Sequence, residues 1–163
     1  MRENSTRSFQ AGSLGHSEPG RVAALAALLP AGLAQPALSA GGHHLTGGGT
    51  ASISQVAMNV NFAASGSATG SFECLMAGRS AFVLPPFGLA HSMIVHATPT
   101  AGSVSGTKAS FSGPGRLTLD GKVKMNIHVS VQVDVAAQTF ELTVVEVGAM
   151  GLETMQSGHL TME

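Results

Sequence analysis

The sequence predicts an all-β fold: an antiparallel meander that forms a single sandwich or small barrel of about eight strands, preceded by a signal-peptide helix. Apolar residues occupy every second position of residues 122–136, KVKMNIHVSVQVDVA. One face of this segment is therefore apolar and the other polar, as in a long, half-buried strand. Shorter alternating segments recur along residues 41–163 with Gly, Pro, Asn and Asp between them, and none shows helical spacing.

Alternation and turn residues divide the rest of the chain into further strands. Asp120-Gly121 is a strong hairpin signal that leads into the long strand. After a turn at 99–102, segments 104–112 and 116–120 can form one bent strand across the Gly-Pro-Gly between them. Three consecutive glycines at 47–49 indicate a bulge, a bend or a close backbone approach. Besides 122–136, the predicted strands are residues 56–63, 69–76, 81–87, 91–98, 104–112, 116–120, 139–147 and 153–163.

Length and composition argue against several classes of protein. The 163 residues suit a single domain, and a hydrophobic content of 44% is enough for a folded core. Only 10% of the residues are charged, the formal net charge is −1, and no basic patch occurs, so we expect no nucleic-acid partner. Trp and Tyr are absent. Without aromatic girdles, a membrane-spanning barrel is disfavoured.

Residues 1–40 have the pattern of a secretory signal peptide. Three arginines lie within residues 1–21, and an apolar run at 22–34 is followed by small residues. A basic start, a short apolar run and a small-residue cleavage zone define such a peptide. The run is shorter than the roughly 20 residues of a transmembrane helix, and a short amphipathic or buried helix is the alternative. We therefore predict that residues 41–163 form a secreted, extracellular all-β domain.

The cleavage position decides whether the new amino terminus can bind a metal. Cleavage after Ala34, Ser39 or Ala40 fits the pattern of small residues. Cleavage after Ala40 leaves a chain that begins Gly-Gly-His. Its free amine, two deprotonated amides and the imidazole of His43 could then encircle Cu(II) or Ni(II) in a square plane. His43 and His44 are therefore metal-ligand candidates, on the condition that the chain is cleaved before the first of these glycines.

The remaining histidines of the mature chain lie in alternating segments, where we expect them to face solvent or to form hydrogen bonds. The alternative is that several of them converge across neighbouring strands to bind Zn(II). These histidines are His91, His96, His128 and His159.

No catalytic set is evident in residues 41–163. A glycosidase needs two carboxylates that face each other across a cleft, and no such pair stands out. A Gly-x-Ser-x-Gly nucleophile motif does not occur. Cys74 alternates with Phe72 and Met76, which predicts a buried structural thiol. We predict that the protein is not an enzyme and has no cofactor. The carboxylates considered are Glu73, Asp120, Asp134, Glu141, Glu146, Glu153 and Glu163.

Several motifs resemble the post-choice-of-anchor-P (post-COAP) domain family of bacterial secreted proteins. They are LTGGGTASI at 45–53, GSATGSFECL at 66–75, the run MIVHATPTAGSVSGTKASFSGPGRLTLDG at 93–121, and SGHLTME at 157–163. The segment VLPPFG at 83–88 departs from the pattern. The resemblance implies secretion and an all-β fold, and it assigns no catalytic or binding residue.

The leading functional hypothesis is a non-catalytic secreted β domain with a structural, adhesive or accessory role at or outside the cell surface. Its partner would be an extracellular molecule or a small ligand that the sequence does not identify. One alternative is a small barrel that binds an apolar small molecule, because methionines could line an adaptable cavity. The other alternative is extracellular metal binding through the amino-terminal Gly-Gly-His.

Overall fold

The computed structural model describes residues 42–78 and 91–163, and these residues form strands and turns without a helix. No described segment could therefore cross a membrane as a helix. The predicted signal-peptide helix at 1–40 and the predicted strand at 81–87 lie outside the described residues. The strands are β1 (His43–Thr50), β2 (Gln55–Phe62), β3 (Ala68–Met76), β4 (Met93–Ala97), β5 (Ala101–Ser105), β6 (Lys108–Leu119), β7 (Val123–Asp134), β8 (Thr139–Val144), β9 (Gly148–Thr154) and β10 (His159–Met162).

All ten strands belong to one antiparallel sheet that curls into a half-barrel, in the order β10-β1-β2-β3-β4-β6-β7-β8-β9, with β5 also paired to β6. The prediction of an all-β, antiparallel fold is confirmed for the described residues, which form ten strands rather than about eight. β9 and β10 lie at opposite ends of this order although they follow each other in the chain. An isolated bridge between Ala51 and Met155 connects the segment after β1 with the segment after β9.

β4 and β5 lie one after the other along the same side of β6. This arrangement accounts for part of the difference between the predicted and the observed number of strands. Both pair with β6, while Ala101 of β5 also bridges back to Ser67 beside β3. The predicted turn at 99–102 is therefore wrong. The chain reverses instead between Ser105 and Lys108, which pair across a two-residue turn.

β6 runs unbroken from Lys108 to Leu119, as the bent-strand interpretation predicted. Pro114 lies in its middle, a position that a strand with two neighbours rarely tolerates. The Pro114 carbonyl accepts a hydrogen bond from the Thr98 backbone N–H at 3.0 Å, so this side of Pro114 faces the break between β4 and β5. The missing N–H of proline thus falls where the neighbouring ladder is already interrupted.

β7 contains most of the long alternating segment that the sequence predicted at 122–136. Ile127, Val129, Val131 and Val133 are buried, and the residues between them are exposed or half-buried. Burial of one face against the core stabilises such a strand by about 25 cal/mol for each Å² of apolar surface removed from water. The predicted inward and outward faces of this strand are confirmed.

The core contains aromatic rings and methionines from strands on both halves of the sheet. The ring of Phe111 lies 6.5 Å from that of Phe62 and 5.7 Å from that of Phe72, in tilted and edge-on arrangements. Every methionine in the described residues is either buried in the core or packed against it, as flexible gap-filling side chains commonly are. These are Met58, Met76, Met93, Met125, Met150, Met155 and Met162.

The glycine triplet of β1 permits an unusually close approach of β10. A β-carbon on Gly47 would lie 2.0 Å from the carbonyl oxygen of His159, and one on Gly49 would lie 2.1 Å from that of Ser157. Both glycines have positive φ, 142° and 151°, which other residues rarely adopt. The close backbone approach that the sequence indicated is therefore found here.

The side chain of Gln138 holds the edge of β10 that faces away from β1. The amide nitrogen of Gln138 donates to the carbonyl oxygens of Val135 and Leu160, at 2.6 and 2.9 Å. Its amide oxygen accepts from the Leu160 N–H at 2.9 Å. Gln138 thus satisfies both backbone groups of Leu160, as a neighbouring strand would do.

Candidate functional site

A row of polar side chains crosses four strands on the outer face of the sheet. Glu73 of β3 pairs with His96 of β4, His96 pairs with Arg116 of β6, and Arg116 pairs with Asn126 of β7. All four residues are exposed, while the residues beside them along each strand point to the core or are half-buried. Strand alternation therefore fixes them on one side, and the pairing register brings them into line. We call these four residues the polar row.

The polar row lines an open groove with a volume of about 720 Å³. Asn59 and Ser71, which pair with each other on β2 and β3, extend the polar lining beyond the row. Ala57 and Gly115 contribute little or no side chain to it, and this leaves room between the longer residues. The groove therefore offers a broad, shallow surface with many hydrogen-bonding groups.

Charges in the groove are only partly neutralised. His96 Nδ1 lies 3.3 Å from Glu73 Oε2, so the imidazole and the carboxylate form a pair. The guanidinium of Arg116 forms no ion pair or hydrogen bond with any other described residue, and the same is true of the Lys124 ammonium on β7. Arg116 presents a rigid fork of donors suited to a carboxylate or phosphate. The groove thus has an uncommitted cationic end.

A second, smaller groove of about 400 Å³ lies on the same sheet around β5 to β9. Its lysine, Lys108, already has an acidic neighbour, because Nζ lies 4.0 Å from Asp134 Oδ2. Hydrogen bonds from the backbone N–H of Ala137, then from Thr107 and Ala136, hold the pKa of Asp134 below its usual value. The groove beside the polar row is therefore the better candidate for an anionic ligand.

The predicted metal ligands His43 and His44 do not line this groove, although His44 contacts one of its lining residues. His44 Nε2 is 3.0 Å from Asn59 Oδ1, while His43 begins β1 opposite Phe62. Neighbouring strand residues point to opposite faces, so the two imidazoles do not form one ligand set. The amine that would complete the predicted copper site belongs to Gly41, outside the described residues, and that site stays a prediction.

Three of the described histidines, His91, His96 and His128, each lie beside a carboxylate. His91 contacts Asp120, and His128 Nδ1 lies 2.9 Å from Glu146 Oε1. Within residues 42–78 and 91–163, no group of three or more His, Cys, Asp or Glu side chains could hold a metal ion. The arrangement seen is therefore that of separate surface pairs.

A buried polar cluster lies on the core side of the sheet, away from the groove. Glu153 Oε2 accepts hydrogen bonds from the Ile53 backbone N–H at 3.0 Å and from Ser54 Oγ at 2.8 Å. Glu153 Oε1 is buried and has no partner among the described residues. Burial raises the pKa of the neighbouring Cys74 thiol to about 12, against a smaller opposing effect of a hydrogen bond with Ser54. Cys74 is thus the buried, protonated thiol that the sequence predicted.

A β-bulge in β9 turns the side chain of Glu153 towards the core. Met150 and Gly151 together oppose the single residue Leu142, because the pairing shifts by one residue between Glu141 and Thr143. Gly151 adopts φ 86°, a conformation that favours glycine. Bulges often redirect side chains in this way, and here the redirected side chain is a carboxylate.

Comparisons of the chain with protein-family models, curated proteins and solved structures find no match. The resemblance of its motifs to post-COAP domains therefore stays a prediction.

Sequence reasoning considered Glu73 and His96 individually and did not recognise the groove. It found the polar faces of the strands, but Arg116 and Asn126 join Glu73 and His96 only through the register of strands distant in sequence. The one local signal is the polar face of residues 122–136, to which Asn126 belongs. Glu153 was considered only as one of seven carboxylates, because the bulge that buries it depends on pairing with β8.

Proposed function

We propose that this protein is a non-catalytic secreted β domain with an adhesive or accessory role, which binds an extracellular partner through the groove beside the polar row. The observation that carries the proposal is the alignment of Glu73, His96, Arg116 and Asn126 across four adjacent strands. Such a row is a rigid array of donors and acceptors, because each member is fixed by a backbone ladder on both sides. Only small rearrangements would be needed on binding.

Secretion is supported by the sequence rather than by the groove. Residues 1–40 have the three-part pattern of a signal peptide, and the motif resemblance to secreted bacterial domains points the same way. A low charge content is compatible with contact to surface polymers without strong non-specific attraction.

The proposal is tested with the full chain expressed in a secreting bacterial host. The intact mass of the protein in the medium reports whether residues near position 40 are the cleavage site. Binding to a panel of cell-surface polymers is then compared for the secreted protein and the variant Ala57→Tyr, which places a neutral, bulky side chain in the groove. The control is Ala149→Tyr, at an exposed strand position on β9 outside the groove.

We expect Ala57→Tyr to weaken polymer binding and Ala149→Tyr to leave it unchanged. Equal binding by all three proteins would show that the groove is not the binding surface. The same incubations are assayed for polymer breakdown. Reproducible turnover that one point substitution abolishes would overturn the non-catalytic part of the proposal.

A further inference from the structure

We infer that the groove takes an anionic polysaccharide, with a carboxylate of the polymer on Arg116 and its hydroxyl groups on the neighbouring amide and imidazole side chains. This inference rests on the proposed function, because it names the class of partner for the same groove. It depends on the distribution of charge in the groove and on the chemistry of the uncharged lining.

The cationic end of the groove favours a negatively charged ligand. His96 Nδ1 lies 3.3 Å from Glu73 Oε2, whereas the guanidinium of Arg116 has no ion pair or hydrogen bond with another described residue. Lys124 lies two residues along β7 from Asn126, the partner of Arg116. Diagonal neighbours of this kind are about 7–8 Å apart, so two uncommitted cations stand close together on one face. A ligand that supplies negative charge there would complement both of them.

Glu73 does not prevent such a ligand from binding. Adjacent strands are about 4.8 Å apart, so Glu73 and Arg116, with β4 between them, are separated by roughly two strand spacings. His96 lies between them and pairs with the carboxylate. An anion bound on the Arg116 and Asn126 side is thus kept away from Glu73 and meets the imidazole first.

The uncharged lining of the groove favours a ligand that carries hydroxyl groups. Asn126 offers both donors and acceptors, and Ser71 offers a hydroxyl that can do either. Asn59 offers its amide N–H donors, since its Oδ1 already lies 3.0 Å from His44 Nε2. These groups match the hydroxyls of a sugar, which also act as donors and acceptors. The groove is open along its length, as a polymer requires, and its small residues leave space for a sugar ring beside the strands.

An acidic peptide is the competing partner, because it would also bring carboxylates to Arg116. A peptide gains much of its affinity from apolar side chains that enter pockets or from backbone pairing with a free strand edge. The strands that form the polar row are paired on both sides, so they offer no free edge at the groove. The observations therefore favour the polysaccharide.

The test measures binding of the full-length secreted protein to three polymers by titration calorimetry. Polygalacturonate carries carboxylates and hydroxyls, its methyl ester keeps the hydroxyls without the charge, and polyglutamate carries carboxylates without hydroxyls. We expect polygalacturonate to bind at least about tenfold more tightly than either of the other two, because only it satisfies both parts of the groove.

Variants on β6 identify the anchoring residue. Arg116→Gln should weaken binding to polygalacturonate by about tenfold or more, and Arg116→Lys should be intermediate because it keeps the charge and loses the fork. Lys108→Gln removes one positive charge from the same strand outside the groove, and it should change affinity by less than about twofold. Both side chains changed are exposed, and circular dichroism confirms that each of the three variants is folded.

The outcomes separate this inference from the proposed function. Equal affinity for polygalacturonate and its ester, with both blocked by Ala57→Tyr, would retain the groove as a binding site and overturn the anionic ligand. Polyglutamate that binds as tightly as polygalacturonate would point to an acidic peptide instead. Unchanged affinity in Arg116→Gln, or no binding of polygalacturonate at all, would likewise reject the inference.

Discussion

Leu152 and Glu153 are adjacent in β9, yet the leucine is 69% exposed and the glutamate only 2% exposed. Regular alternation from the buried Met150 would give the opposite result. The extra residue at Gly151 resets the alternation, so the strand exposes an apolar side chain and buries a carboxylate. Both changes cost free energy. The hydrogen bonds from Ile53 and Ser54 to Glu153 offset part of that cost and join β9 to the segment after β1.

We predict that Glu153→Ala lowers the free energy of unfolding by about 2–4 kcal/mol, because it leaves a cavity and removes the acceptor of two partly or fully buried donors. Glu153→Gln should cost less, since its carbonyl oxygen can accept the same two bonds. Urea unfolding measures both. Glu141→Gln, a half-buried site one strand away, is the control and should stay within about 0.5 kcal/mol of wild type. An Ala variant as stable as wild type would contradict the assigned role.

Gln138 provides a second test of how the sheet is joined. We expect Gln138→Glu to destabilise the protein more than Gln138→Ala, because a carboxylate would face the carbonyl oxygens of Val135 and Leu160. Hydrogen exchange at the Leu160 amide should accelerate in Gln138→Ala, since that N–H loses its acceptor. Gln156→Glu, at an exposed site between β9 and β10, is the matched control. Unchanged exchange at Leu160 would count against the contact.

The stability of the protein should fall as acid protonates Glu146. Hydrogen bonds from the His128 backbone N–H, then from its imidazole, hold the pKa of Glu146 below its usual value. Because the pKa of Glu146 is lower in the folded protein, its stabilising effect is fully present above the pKa that this carboxyl has in the unfolded chain. The effect is lost as the pH falls through the pKa that it has in the folded protein. The effect is small because the pair is solvent-exposed.

Thermal unfolding between about pH 6 and pH 3 measures this dependence. We expect the midpoint of Glu146→Gln to fall less steeply with acid than that of wild type. Glu141→Gln removes a carboxylate that accepts no hydrogen bond from another described side chain, and serves for comparison. Parallel curves for Glu146→Gln and wild type would reject the contribution of this pair.

The thiol of Cys74 should resist modification in the folded protein. It is fully buried, and burial raises its pKa to about 12, so little thiolate exists at neutral pH. An aromatic disulfide reagent should label it at least about a thousandfold more slowly in buffer than in denaturant, because labelling requires unfolding. Rapid labelling of native protein would show that the core opens readily at β3.

Local sequence was sufficient to predict the faces of most strands but not their alignment. The alternation at 122–136 predicts β7 because burial depends on each residue's own position in the strand. The polar row could not be predicted in this way, since Glu73 and Asn126 are brought into line by intervening strands. The bulge at Gly151 escaped prediction for a similar reason. Its effect on Glu153 depends on pairing with β8 and on contacts with residues 53 and 54.

The pairing of β1 with β10 has a consequence for how the chain reaches this structure. Thr46 and Thr161 meet across this ladder although they are 115 positions apart. Strand pairs that close such long loops form slowly, because the entropy of the loop is lost before the contact compensates for it. Until residues 159–162 arrive, one edge of β1 has exposed amide and carbonyl groups and its three glycines offer no side chains to block another strand. This edge of β1 is therefore open to pairing with a second copy of the chain until β10 has paired with it.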